Sequence, residues 1–284
     1  MKILIIGSSG LVGSRFVELH KNKDELLTPD HKELDITQEN LDIKGVDVVI
    51  NFAAYTNVGE GEKQRGNKNG ECWRINVDGV KNLLGVLDTK SVHFIQISTD
   101  MIFSGASGPY EEDNLPEIDS NKLTWYGYSK AEAERLLDQQ TAILRLIYPV
   151  RAKFAKKLDY LRKPLQSFDQ KKLWPLFPDQ QISICFIDEA CVALEKIISQ
   201  KLMGIFHSGS SNTATPFELV SYLLEKARNY KGKLETQLLD NFLKNSSSSP
   251  VRYPKFGGLK VEETEKKLGI KFSSWREIID KLTE

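Results

Sequence analysis

Apolar side chains fall into two kinds of grouping along this chain: short unbroken runs, and longer stretches in which they recur at helical spacing. Ile3-Leu4-Ile5-Ile6 is an unbroken run bounded by glycine, the pattern of a strand buried on both faces of a parallel sheet. Val12, Phe16 and Leu19 then recur at helical spacing between Leu11 and His20. Glu25-Leu26-Leu27-Thr28 predicts a second strand, Val46-Asp47-Val48-Val49-Ile50 a third that ends at Asn51, and Val92-His93-Phe94-Ile95-Gln96-Ile97 a fourth. Helical spacing returns at Val77, Val80, Leu84 and Leu87 and again from Ala131 to Leu137, before Ala142-Ile143-Leu144-Arg145-Leu146 predicts another strand. Strands alternating with helices build parallel βαβ units, so the expected fold is α/β, a Rossmann-type doubly wound parallel sheet.

The second half has another texture. Arg151 to Phe177 is basic and irregular, and Ile182 to Ile187 then leads into a helix carrying Ala190, Leu194, Ile197 and Ile198. Thr215-Pro216-Phe217-Glu218 is a capping box with proline at the first helical position, which predicts a helix running toward Arg228. Ser246 to Ser249 with Pro250 reads as a flexible loop, and Ser274 with Glu277 opens a last short helix. At 284 residues the length suits about two domains of roughly 150. The expected plan is a dinucleotide-binding domain over 1–148 to which 183–208 returns, and a small substrate-binding lobe of 149–182 and 209–284.

Charged side chains balance at a formal net charge of zero, so no global field gathers nucleic acid or an anionic membrane surface, and neither is expected as a partner. Met1-Lys2 runs straight into the first apolar run, and no apolar stretch of about 18 residues occurs, so the expected location is cytoplasmic. Cys72, Cys185 and Cys191 lack paired spacing and suit reduced thiols; the four histidines, His20, His31, His93 and His207, are scattered, and no metal site is expected.

Three features carry chemistry. Gly7-Ser8-Ser9-Gly10-Leu11-Val12-Gly13 lies between the first strand and the first helix, where glycines let backbone amides approach a pyrophosphate. About 20 residues further on, Asp30, His31, Lys32, Glu33 and Asp35 mix signs and leave NAD and NADP equally open. Ser98-Thr99-Asp100 ends the fourth strand, and open parallel sheets bind ligands beyond the carboxyl ends of their strands. Tyr126-Gly127-Tyr128-Ser129-Lys130 sets a phenol and an ammonium on one helix face, where the phenol can protonate a developing alkoxide and the lysine charge is expected to lower the phenol pKa. With nine tyrosines, about one such spacing arises by chance, and Tyr222 with Lys226 is a second instance that lacks the upstream turn and hydroxyl. Tyr222 is therefore assigned to packing.

These residues resemble the extended short-chain dehydrogenase/reductases, and within them the dTDP-4-dehydrorhamnose reductase group. The likeness is carried by Gly7 to Gly13, Leu34-Asp35-Ile36, Asp47 to Thr56, Asn76-Val77-Asp78-Gly79, Ser98 to Phe103, the YGxSK motif at Tyr126 to Lys130, and Leu268-Gly269-Ile270 with Trp275-Arg276-Glu277. The resemblance implies Thr99, Tyr126 and Lys130 as the catalytic set. It implies NADP or NAD as cofactor, lined by Gly7, Gly10, Leu11, Val12, Gly13, Asp35, Ile36, Phe52, Ala53, Ala54, Tyr55, Asn76 and Lys130. Substrate contacts would be Asp100, Met101 and Tyr148, the substrate a nucleotide-linked 4-keto sugar, and a homodimer the candidate assembly. Met101 stands where the family has tyrosine, Tyr148-Pro149 where it has tryptophan, and Gly59 to Glu71 is a more polar, glycine-rich loop than the family's. Asp179-Gln180 and Ile187-Asp188-Glu189-Ala190 echo its later segment. The implied activity is reduction of the keto sugar. The alternatives are a nucleotide-sugar epimerase or dehydratase, or a non-catalytic cofactor-binding subunit like the regulatory subunit of methionine adenosyltransferase.

Overall fold

The computed structural model describes residues 1–154, 156–245 and 253–284, so the loop expected at Ser246 to Pro250 lies outside the described residues. The described strands are β1 (Lys2–Ile6), β2 (Glu25–Leu27), β3 (Val48–Asn51), β4 (His93–Thr99), β5 (Ala142–Leu146), β6 (Pro149–Val150), β7 (Cys185–Phe186) and β8 (Gly204–Ser208). Six of them form a parallel sheet in the order β2-β1-β3-β4-β5-β8, flanked by helices, which is the doubly wound α/β architecture expected. Its register pairs Ile3 with Val48 and Ile5 with Ile50, then Val48 with His93 and Asn51 with Gln96. Burial on both faces explains the unbroken apolar runs: Ile3, Ile5, Val49 and Ile50 are all fully buried. The strand order reverses between β1 and β3, which puts the topological switch point at their carboxyl ends, where Gly7 and Phe52 follow.

The helices are α1 (Gly13–His20), α2 (Val58–Glu62), α3 (Glu71–Trp73), α4 (Gly79–Val86), α5 (Trp125–Arg135), α6 (Arg162–Asp169), α7 (Ile187–Ser199), α8 (Pro216–Arg228), α9 (Leu239–Asn245), α10 (Glu262–Leu268) and α11 (Trp275–Thr283). Three expectations need correction. The stretch from Arg151 to Phe177 is not irregular throughout: α6 lies inside it, its Leu165 and Phe168 packed on a core of Leu176, Val220 and Leu224. The loop expected from Gly59 to Glu71 begins with α2, capped where the Asn57 side chain accepts from Glu60 N. The helix carrying Val77 and Val80 is broken by a π-turn at Arg74–Asp78, between α3 and α4. The two capping boxes form as read: Thr215 with Glu218 at the start of α8, and Ser274 with Glu277 at the start of α11.

Backbone proximity divides the chain into two compact units. One holds Met1–Phe103, Leu115–Arg145 and Cys191–Phe206; the other holds Ser104–Asn114, Leu146–Ala190 and His207–Glu284. In the first, Leu4, Ile6, Val49, Leu83 and Phe94 form a core against the sheet. In the second, Ile182, Ile184, Leu219, Leu223, Trp275 and Ile278 pack α8 against α11. No helix among the described residues is long and apolar enough to cross a membrane.

Candidate active site

The turn after β1 is built for close approach. Gly7 has φ 78°, in the left-handed region, and a Cβ there would lie 2.7 Å from Ala53 N. A Cβ on Gly13 would lie 2.5 Å from the Gly7 carbonyl oxygen, so that position also admits only glycine. At Gly10 the nearest atom to an added Cβ is the Gly7 oxygen at 3.3 Å, within the turn itself, and the side away from the turn is open. Leu11 and Val12 lead from there into α1, whose start is tied to the turn where Ser14 N donates to the Gly10 carbonyl at 3.0 Å and Phe16 N to the Val12 carbonyl at 3.1 Å. This is the cradle an anion such as a pyrophosphate fits. Beside it, Asn51 Oδ1 accepts from Ala53 N at 3.1 Å while Asn51 Nδ2 donates to Gln96 Oε1 at 2.9 Å, fixing the half-buried segment Phe52, Ala53, Ala54 and Tyr55.

The residues read from the sequence as a catalytic set lie where β4 ends and α5 begins. Thr99 is the last residue of β4, and its hydroxyl donates to Asp100 Oδ1 at 3.1 Å and accepts from Met101 N at 3.3 Å. Thr124 caps α5 by accepting from Gly127 N at 3.0 Å, which starts the helix one residue before Tyr126. Gly127 packs directly on the turn after β4, and a Cβ there would overlap the Met101 carbonyl oxygen. The absence of a side chain at Gly127 thus lets Tyr126 reach Thr99. One turn later Lys130, 2% exposed, donates from Nζ to the Ile97 carbonyl at 2.7 Å.

Burial sets the electrostatics. It pushes the Tyr126 phenol well above its ordinary value, the Asp100 carboxyl adds to the rise, and a hydrogen bond with Thr99 opposes it. Burial likewise raises the Asp100 carboxyl to about 7, against the Thr99 hydrogen bond. It lowers the Lys130 ammonium to about 8, against the pull of Glu134 one turn on. The phenol therefore moves opposite to the expected lowering by lysine: Lys130 gives one of its N–H groups to the Ile97 carbonyl, and desolvation is the largest influence on Tyr126.

The other sequence-selected residues divide between the two units. Asp35 accepts from Thr37 N at 2.9 Å, from Thr37 Oγ1 at 2.8 Å and from Gln38 Nε2 at 3.0 Å, and the Gln38 bond leads in holding its carboxyl below the usual range. Ile36 is buried against Gly79, where an added Cβ would come within 2.6 Å of Ile36 Cδ1. Asn76 is buried with its amide turned to Tyr55 and Ser129. All of these share the first unit with Thr99, Asp100, Met101, Tyr126 and Lys130. Tyr148 belongs to the second unit; its φ is 37°, unusual for a residue with a side chain, and its ring lies 4.3 Å from that of Tyr160. Gly127 and Ser129 were missed as positions of interest, although both lie within the YGxSK motif. Among the described residues no group of three or more His, Cys, Asp or Glu side chains could hold a metal ion.

The chain is 26% identical over 293 residues to the probable low-salt glycan biosynthesis reductase Agl14 of Haloferax volcanii, with 95% of this chain and 93% of that protein aligned. It is 24% identical over 294 residues to the dTDP-4-dehydrorhamnose reductase of Sinorhizobium fredii, covering 98% and 95%. Its fold is that of the Bacillus anthracis dTDP-4-dehydrorhamnose reductase solved in complex with NADP, with a TM-score of 0.82 at 22% identity over 99% of this chain and 98% of that one. The family model described as the RmlD substrate binding domain matches residues 1–284, and the chain belongs to that family.

Proposed function

We propose that the protein is an NADPH-dependent reductase of a 4-keto sugar carried on a nucleoside diphosphate. The observation that carries this reading is the single buried cluster of Thr99, Tyr126 and Lys130 at the carboxyl end of β4. The dTDP-4-dehydrorhamnose reductase activity named for two of the relatives supports the substrate class, and the NADP in one of them supports the cofactor.

When bound, the reduced nicotinamide supplies a hydride to the carbonyl carbon. The chain supplies the proton. The Tyr126 phenol, protonated at neutral pH and held above its ordinary value by burial, is placed to give its proton to the oxygen on which charge develops. Thr99 orients the same oxygen by hydrogen bonding, and Lys130 places a positive charge beneath the helix turn that carries the phenol. Gly7, Gly10 and Gly13 admit the pyrophosphate, with Leu11, Val12, Asp35, Ile36 and Phe52 to Tyr55 around the rest of the dinucleotide. Asp100 and Met101 contact the sugar.

The test mixes protein and NADPH with a panel of nucleotide-linked 4-keto sugars and follows nicotinamide absorbance beside product analysis. Loss of one NADPH per product is expected. Product without net loss would instead identify an epimerase or dehydratase, and tight NADPH binding with no turnover on any sugar would identify a cofactor-binding subunit.

A further inference from the structure

The structure assigns Asn76 to the positioning of Tyr126 and not to the dinucleotide, an inference that rests on Tyr126 being the proton donor. Asn76 lies at the centre of the π-turn Arg74–Asp78. Such a turn inserts one residue into the helical ladder and re-aims the side chains on it, commonly at functional sites. Here it points the Asn76 amide, 1% exposed, between the segment ending at Tyr55 and the helix that carries Tyr126.

The hydrogen bonds around it have one permitted direction. Tyr55 N–H can only donate, so the Asn76 Oδ1 atom 2.8 Å away accepts from it. The amide nitrogen is then turned the other way and donates to Ser129 Oγ at 2.8 Å and to the Tyr55 carbonyl at 3.3 Å. With its oxygen accepting from Asn76, the Ser129 hydroxyl gives its own proton to the Tyr126 carbonyl at 2.7 Å. Three bonds therefore run in series from the backbone of Tyr55 to the backbone of Tyr126, and bonds in series strengthen one another. Cys72 Sγ closes the cluster, 3.7 Å from Ser129 Oγ and 3.9 Å from Asn76 Nδ2. Both amide protons of Asn76 are used inside the protein, which leaves it no donor for a cofactor. What it controls is the spacing between the cofactor-side segment and the phenol.

Positioning and contact predict different kinetics. In Asn76→Ala and in Ser129→Ala, kcat should fall about 30-fold, as displacement of a reacting group by a fraction of an ångström does. The NADPH Kd from fluorescence titration and the KM for the sugar should stay within about threefold of wild type, a split that a general loss of structure does not produce. The double variant should be no slower than the slower single variant. Asn76→Asp should also keep NADPH affinity and lose kcat: its carboxylate still accepts from Tyr55 N–H but draws the Ser129 proton away from the Tyr126 carbonyl. Ser129→Ala leaves the Asn76–Tyr55 bonds in place and keeps the test readable if Asn76→Ala does not fold. A tenfold or greater weakening of NADPH with kcat preserved would overturn the inference, as would losses that multiply in the double variant. A wild type that binds NADPH and reduces no sugar would overturn the reductase reading alone. In that case the denaturant midpoints of the same variants decide: non-additive shifts support the series of bonds, and additive shifts overturn it.

Discussion

Helices α5 and α8 carry the same pair of residues at the same spacing, Tyr126 with Lys130 and Tyr222 with Lys226, and both open on a threonine cap. Their environments differ. In α5 the lysine is buried, bonds to a backbone carbonyl and has its ammonium lowered to about 8. In α8 the lysine side chain is 41% exposed and sits 2.8 Å from Asp280, and hydrogen bonds to Asp280 and Tyr222 push its ammonium up. The Tyr222 hydroxyl donates to Asp280 at 3.0 Å and its ring meets Trp275 edge-on, which is packing, as assigned. A four-residue step places a phenol and an ammonium on one face of either helix. What separates the two pairs is their withdrawal from water.

Removing the two hydroxyls separates the helices most sharply. Tyr126→Phe is expected to lower kcat by about a thousandfold, the scale of a lost general acid, with NADPH affinity unchanged. Tyr222→Phe should leave kcat within twofold and cost about 1 kcal/mol of stability through its lost bond to Asp280. Steady-state kinetics and denaturant unfolding of both variants measure this. Near-wild-type turnover in Tyr126→Phe would remove the basis for ranking α5 above α8.

The residue after each tyrosine extends the contrast. In α8 it is Leu223, buried in the core of the second unit; in α5 it is Gly127, pressed against the Met101 carbonyl. Glycine to alanine inside a helix ordinarily stabilises by roughly 1 kcal/mol. At Gly127 the sign should reverse: the new methyl must push α5 from the turn after β4, costing about 1–3 kcal/mol as overpacking does. The same displacement carries Tyr126 away from Thr99, so kcat should fall at least about tenfold. Thermal melts and kinetics of Gly127→Ala check both. A stabilised and fully active variant would show that the close approach has no part in placing the phenol.

Much of this was legible from residue pattern, and the limits have physical causes. Doubly buried strands are mostly apolar, so Ile3 to Ile6 stood out, and Ala142 to Leu146 did so around Arg145, which is fully buried and paired with Glu134 at 2.8 Å. A capping box is a local exchange of hydrogen bonds, so α8 and α11 began where Thr215 and Ser274 indicated. Helix α6 was hidden because its apolar stripe is short, interrupted by Pro164 and surrounded by lysines, and it packs on Leu176 and on Val220 and Leu224, the last two distant in the chain. The Thr99, Tyr126 and Lys130 set could be named from order along the chain. The partners of Asn76 could not, because a single π-turn redirects a side chain without a sequence signal. Nor could the direction of the Tyr126 shift, which depends on how much water the fold removes and not on which residue is nearby.

The last contrast is in how the two lysines respond to alkali. Burial keeps the Tyr126 phenol protonated well past neutrality, so the group that titrates first on the alkaline side is Lys130, at about 8. If its charge supports proton donation, kcat/KM should decline above about pH 8, approaching tenfold per pH unit. Stability should move the opposite way. Between about 8 and the ordinary lysine value of 10.5 the unfolded chain holds a proton on Lys130 that the folded chain has lost, so this group makes the protein more stable as pH rises through that window. Lys226, raised above 10.5, has the reverse sign: the folded chain keeps its proton longer, and the contribution is lost only at pH above that value. Paired melts of wild type and Lys130→Met across pH 7–10.5 isolate the first effect, and Lys226→Met serves as the control. Activity and stability falling together over that range, or a rise that survives Lys130→Met, would show that burial of the α5 lysine is not what distinguishes the two helices.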